Sequence, residues 1–242
     1  MSNRILVVDD EEGLRATLAA NLELEGYEVA MADSGAGAVA QVAASRFDLV
    51  ITDVRMPEMN GLEAFRRIRK LRPGAPVIMM TAFTAESMLE QAVAEGVYTV
   101  IHKPFPMARV IGLVRRAIAG GVVLVVDDAP EQAASIVQML DEAGIRAEIA
   151  HDGPSAVKRV AQGHVDLCVL DLVMPRMDGV TAYEGMRRVD PSIGVVAISA
   201  YSVPEMMHRL AKMGAHTCLR KPFERRDLVR AIARARAAMV RE

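Results

Sequence analysis

The sequence predicts an α/β protein built as two doubly wound, five-stranded parallel sheet domains in tandem. The first observation behind this is a repeat. Ile5-Leu6-Val7-Val8-Asp9-Asp10 recurs as Val123-Leu124-Val125-Val126-Asp127-Asp128. The same offset carries Asp53 to Asp171, Met56-Pro57 to Met174-Pro175, Gly61 to Gly179, Thr81 to Ser199, Gly96 to Gly214 and Lys103-Pro104-Phe105 to Lys221-Pro222-Phe223. No net insertion separates these landmarks, so two complete copies fill the 242 residues, as domains 1–119 and 120–242. The second observation is that short apolar runs alternate with helical patterns inside each copy, the signature of a parallel sheet covered on both faces.

In the first copy the apolar runs place strands at Ile5 to Val8, Val29 to Ala32, Leu49 to Thr52, Val77 to Thr81 and Thr99 to His102. Between the first two, Leu14, Leu18 and Leu22 recur every four residues and make one apolar stripe. Glu11 and Glu12 stand at the start of that helix, where carboxylates favour the macrodipole. The last helix of the copy runs from about Met107 to Ala119, and after Gly120-Gly121 the next strand begins at once. In the second copy Pro154 follows Gly153 where a helix should begin, a position that suits proline.

Composition narrows the function. Apolar residues make up 52%, enough to fill real cores and to exclude a disordered chain. The 29 basic and 31 acidic side chains nearly cancel, so no charge excess points to direct contact with nucleic acid. Arg225, Arg226, Arg230, Arg234 and Arg236, diluted by Glu224 and Asp227, read as a solvated face of the last helix. No apolar run spans a bilayer, no export signal is visible, and Cys168 and Cys218 sit in apolar segments as buried free thiols; the expected setting is the cytoplasm, away from membrane. The histidines occur singly, which argues against a zinc site.

The polar landmarks all fall at predicted strand ends, where an open parallel sheet binds its ligands. Asp9 and Asp10 close the first strand, Asp53 the third and Thr81 the fourth, and Lys103 follows the fifth. Asp127, Asp128, Asp171, Ser199 and Lys221 repeat the set. Three carboxylates converging on one pocket repel one another unless a cation compensates them, and a hard divalent ion such as Mg²⁺ suits all-oxygen ligands. An aspartate beside a metal and a lysine can attack phosphorus and form an acyl phosphate, so the pattern points to phosphoryl chemistry.

On these residues each copy resembles the CheY-like receiver domain of two-component response regulators. The shared signature is the acidic pair, the lone Asp with Met-Pro three residues on and then Gly, the Thr or Ser, and the Lys-Pro. The resemblance implies the flavodoxin-like fold with strand order 2-1-3-4-5. It implies Asp53 and Asp171 as phosphoacceptors, and Mg²⁺ bound directly by Asp10 and Asp128, by Asp53 and Asp171 and by the backbone carbonyls of Arg55 and Val173. Asp9 and Asp127 would support the ion through water. Thr81 and Ser199 would be the switch hydroxyls, and Lys103 and Lys221 would contact the phosphoryl group, with the peptide bonds before Pro104 and Pro222 as candidates for the cis isomer. The implied partners are a sensor histidine kinase or histidine phosphotransfer protein and a downstream protein target. The fourth helix, fifth strand and fifth helix form the switching face, on which two copies could also pair. The expectation is thus a two-component response regulator with two phosphoacceptor receivers and no separate output domain, signalling by protein–protein interaction.

Two features depart from the family pattern. Three residues before the lysine, where the family carries Tyr or Phe, stand Val100 and Cys218, with Tyr98 two residues before Val100 as a partial substitute. Two residues after the phosphoacceptor, a position that influences acyl-phosphate hydrolysis in the family, the copies carry Arg55 and Val173, which predicts unequal phosphate lifetimes. The alternatives are a Mg²⁺-dependent phosphohydrolase, which the absence of a second acid two residues after the nucleophile disfavours, and a constitutive scaffold with one degenerate receiver.

Overall fold

Five apolar runs give the first unit its sheet in a computed structural model that describes residues 2–82, 86–175, 177–200, 204–215 and 217–239. β1 (Arg4–Val8), β3 (Leu49–Asp53) and β4 (Val77–Thr81) are buried almost throughout, while β2 (Glu28–Ala32) and β5 (Thr99–His102) are partly exposed at the edges. A central strand with helices above and below has no wet side, so its sequence runs apolar without alternation. All pairs are parallel and the order is β2-β1-β3-β4-β5, with the crossover direction reversing between β1 and β3.

The helices are α1 (Glu12–Leu24), α2 (Gly35–Ala44), α3 (Gly61–Leu71), α4 (Glu86–Ala94) and α5 (Met107–Ile118). Leu6, Val8, Val50, Val77 and Met79 pack with Ala38 and Val42 of α2 and with Leu62, Phe65 and Ile68 of α3. Alternate strand residues point to the other face, where Leu18 and Leu22 of α1 and Val110, Leu113 and Val114 of α5 are buried. Ser34 and Asn60 cap α2 and α3 by accepting the N–H groups of Gly37 and Glu63.

The second unit repeats the plan with β6 (Val122–Val126), α6 (Pro130–Glu142), β7 (Ala147–Ala150), α7 (Gly153–Val160), β8 (Val165–Asp171), α8 (Gly179–Val189), β9 (Gly194–Ser199), α9 (Pro204–Lys212), β10 (Thr217–Arg220) and α10 (Arg225–Ala238). Its strand order from one edge is β10-β9-β8-β6-β7, the same topology read from the other side. The chain divides into its two compact units between Ile118 and Ala119.

Three differences from the sequence reading have physical causes. β1 and β2 each begin one residue earlier, at Arg4 and Glu28, because these two pair in register and their side chains meet at 2.9 Å, so apolarity is not needed there. Cys168 is buried as expected, but Cys218 is exposed, since it lies on β10 at the sheet edge. Arg236 does not belong to a solvated face. It is 3% exposed and grips Asp166 with Nε to Oδ2 at 2.8 Å and Nη2 to Oδ1 at 3.2 Å, while Nη2 also donates to the Gly121 carbonyl at 3.0 Å. A register shift between β6 and β8, where Val122 pairs with Val165 and Val123 with Leu167, leaves Asp166 as the extra residue of a bulge. Bulges re-aim a side chain, and this one meets the guanidinium arriving from α10.

Candidate functional site

In each unit the site assembles because strands end in polar residues at the same edge of the sheet. Asp9 follows β1, is fully buried, and is held by backbone: its Oδ1 accepts the Glu11 N–H at 2.9 Å. Asp53, the last residue of β3, is 6% exposed, and its Oδ2 accepts the Arg55 N–H at 2.6 Å. Lys103 lies just past β5, where its own N–H donates to the Thr81 carbonyl at 2.7 Å and the bond to Pro104 is cis. From there its ammonium reaches Asp9 Oδ2 at 2.8 Å and Asp53 Oδ1 at 2.6 Å. Thr81, 2% exposed, closes β4 between them.

The second unit has the same skeleton. Asp127 Oδ1 accepts the Ala129 N–H at 2.9 Å, and Asp171 Oδ1 accepts the Val173 N–H at 2.9 Å. Lys221 Nζ lies 2.9 Å from Asp127 Oδ2 and 2.5 Å from Asp171 Oδ2. Its N–H donates to the carbonyl of the buried Ser199 at 2.9 Å, and the bond to Pro222 is cis.

Gly61 and Gly179 make the close approach possible. A Cβ on Gly61 would overlap the Asp53 carbonyl oxygen far inside van der Waals contact, and one on Gly179 would meet the Asp171 carbonyl in the same way. Only glycine lets α3 and α8 start against the strand end that carries the central carboxylate. The Gly61 N–H then donates to the Val54 carbonyl at 2.9 Å and the Gly179 N–H to the Leu172 carbonyl at 3.1 Å.

The sequence-predicted residues are thus not gathered equally. Asp9, Asp53 and Lys103 come together, as do Asp127, Asp171 and Lys221, while Asp10 and Asp128 are exposed. Among the described residues no three His, Cys, Asp or Glu side chains stand close enough to hold a metal as they are. Arg55 and Val173 present their N–H groups to the central carboxylates. The donor set is nonetheless all oxygen, and three carboxylates against one ammonium leave two negative charges per site, which suits a hard divalent cation.

Electrostatics follow from this burial. Desolvation raises the Asp53 carboxyl above its ordinary value, against the opposing hydrogen bonds from Lys103 and Arg55. For Lys103 and Lys221 desolvation acts to lower the ammonium, but the hydrogen bonds to their two aspartates outweigh it and the net shift is upward. Both lysines are charged at neutral pH.

Three neighbours escaped the sequence reading. Gln132 Oε1 accepts from Lys221 Nζ at 2.7 Å, Arg15 donates to the Asp9 carbonyl at 2.6 Å, and His151 Nδ1 lies 3.3 Å from the Asp127 carbonyl. The signal for Gln132 was a polar residue where the first copy has Leu14 in its apolar stripe. Val100 packs half-buried against the core on the α4 side. Tyr98 is buried just before β5, its N–H donating to the Val77 carbonyl at 2.9 Å.

Comparison with known proteins bears on both halves. The family model of the response regulator receiver domain matches residues 5–115 and again 123–233. A response regulator receiver protein of Anaeromyxobacter sp. (strain Fw109-5) is 33% identical over 234 residues, covering 96% of this chain and 94% of that protein. The regulatory protein AtoC of Escherichia coli (strain K12) is 36% identical over 116 residues, which are 48% of this chain and 25% of AtoC, so its match is to one receiver-sized part. The crystal structure of a two-component system response regulator/GGDEF domain protein aligns with 99% of this chain and 100% of its own, with a TM-score of 0.59 and 24% identity, a likeness of fold. No helix among the described residues is long and apolar enough to cross a membrane.

Proposed function

Because this chain belongs, in both halves, to the response regulator receiver family, whose members are phosphorylated by histidine kinases and characteristically bind Mg²⁺, we propose that it takes a phosphoryl group on Asp53 and on Asp171. The donor is a sensor histidine kinase or histidine phosphotransfer protein, the setting is the cytoplasm, and the output is binding of a downstream protein. The observation that carries this reading is the buried strand-end aspartate paired, in each half, with a lysine that also bridges a second buried aspartate. In the transfer a carboxylate oxygen of Asp53 or Asp171 bonds to phosphorus, the P–N bond of the donor phosphohistidine breaks, and the imidazole leaves with the electron pair and takes a proton. Lys103 or Lys221 turns an N–H to the phosphoryl oxygens, and Thr81 or Ser199 supplies a hydroxyl hydrogen bond. Asp10 and Asp128, the central aspartates and the Arg55 and Val173 carbonyls would hold Mg²⁺, with Asp9 and Asp127 behind them; bound there, the ion neutralises charge on the transferring group.

The added charge then draws the hydroxyl and lysine inward and biases the face made by the fourth helix, fifth strand and fifth helix of each half. Intact-mass measurement after acetyl phosphate treatment tests the assignment, with and without Mg²⁺. Two added phosphoryl groups are expected on the wild type, one on each of D53A and D171A, and none on the double variant. Full labelling of the double variant overturns it.

A further inference from the structure

The two lysines are held differently. Lys221 Nζ spends its three N–H groups on three acceptors: Asp127 Oδ2 at 2.9 Å, Asp171 Oδ2 at 2.5 Å and Gln132 Oε1 at 2.7 Å. Lys103 Nζ donates to Asp9 and Asp53. At the place equivalent to Gln132 the first half carries Leu14, which has no acceptor to offer. We infer that Gln132 is a positioning residue for Lys221, keeping the ammonium seated while Asp171 is phosphorylated, so that the second half reacts with small phosphodonors through a pre-aimed lysine.

This rests on the reading of Asp171 as phosphoacceptor. When an Asp171 oxygen bonds to the phosphorus of acetyl phosphate, the P–O bond to the acetyl group breaks and acetate leaves with the electron pair. The carboxylate becomes half of a mixed anhydride and loses its charge, so Lys221 must turn one N–H from it to a phosphoryl oxygen. Asp127 and Gln132 still hold the other two N–H groups, and the ammonium pivots about a fixed seat. With Asp53 phosphorylated in the same way, Lys103 keeps Asp9 alone among the acceptors described above. Lysine carries large rotamer freedom, so each retained acceptor reduces what must be ordered in the transition state. Gln132 itself is exposed on the first turn of α6, beside the buried Ala133, so its side chain is not part of the core.

The test is acetyl phosphate labelling of the full chain with Mg²⁺, following the peptides that contain Asp53 and Asp171 separately by mass spectrometry. In Q132L the maximal rate at Asp171 should fall about three- to tenfold, the range expected for losing one hydrogen bond of ordinary net strength, as suits an exposed side chain. The half-saturating donor concentration should stay put, and Asp53 in the same molecules should label at the wild-type rate. Q132E, which keeps an acceptor at that place, should restore Asp171. Equal Asp171 rates in Q132L and the wild type overturn the inference, as does a Q132E variant no faster than Q132L, which would mark a packing role. A wild type labelled at Asp53 and never at Asp171 overturns the underlying reading of Asp171, and the inference with it.

Discussion

Removing the Arg236 guanidinium should destabilise the second unit selectively. The perturbation is R236A. In the structure both partners are nearly dry, with side chains 3% and 4% exposed, and the Asp166 carboxylate accepts two hydrogen bonds from this guanidinium. Alanine takes two hydrogen bonds and a buried positive charge from that carboxylate in the bulge of β8, and takes the donor at 3.0 Å from the Gly121 carbonyl. Breaking a buried pair from one side costs about 3–5 kcal/mol, a large share of the roughly 5–15 kcal/mol that holds a domain together. For a unit of this size, at roughly 4 °C per kcal/mol, Tm should fall by about 12–20 °C. Hydrogen-exchange mass spectrometry is the assay, because it reads peptides of each unit in one sample and the first unit serves as internal control. The paired change D166L/R236M removes both charges and should return most of the loss, since an apolar pair of similar volume is often neutral or better. A loss under about 1 kcal/mol in R236A, or a double variant as weak as the single one, would refute the assignment of the pair as a buried structural link.

Two further outcomes follow from the site. G61A places a methyl group against the Asp53 carbonyl, so α3 must back away from β3; the first unit should lose about 1–3 kcal/mol in denaturant melts, and Asp53 labelling should drop while Asp171 labelling persists. The raised ammonium values of Lys103 and Lys221 mean that the fold favours their charged form: their stabilisation is complete below the ordinary lysine value of 10.5 and is lost as pH rises through the higher folded value. Urea midpoints of the wild type should therefore fall more steeply above pH 10.5 than those of K103M/K221M, and parallel slopes would contradict the shift.

Much of this molecule can be read from apolar runs and the repeat, because a five-stranded parallel sheet buried on both faces leaves no polar side to confuse the pattern. β4 and β5 have the bounds their side chains predict, Val77–Thr81 and Thr99–His102. The convergence of Asp9, Asp53 and Lys103 is readable for the same reason: parallel strands end at one edge, so residues at strand ends become neighbours across long stretches of sequence. What resists reading is whatever depends on a local shift or on an exposed edge. Asp166 turns inward through a bulge, Arg236 sits among arginines that do face solvent, and Cys218 lies in an apolar segment whose strand has a neighbour on one side only. The exposure of Asp10 and Asp128 is of the same kind, since Asp9 and Asp127 take the buried place by accepting N–H groups two residues ahead.

The two halves share a backbone plan and differ in how the charges around it are balanced. In the first, the Arg15 guanidinium donates to the Asp9 carbonyl beside a lysine held by two aspartates, and an exposed arginine, Arg55, lies two residues after Asp53 in the chain. In the second those positions are Ala133 and Val173, and a neutral amide from Gln132 is the added contact to the lysine. A guanidinium near the site attracts an incoming anion but also competes with the lysine for its oxygens, whereas an amide acceptor adds no charge and only fixes where the lysine stands. On the proposed reading of Asp53 and Asp171 as phosphoacceptors, the first half would draw a phosphodonor by field and the second would meet it by geometry. Raising the ionic strength should therefore slow labelling at Asp53 more than at Asp171, because screening weakens a field and leaves a hydrogen bond at 2.7 Å in place.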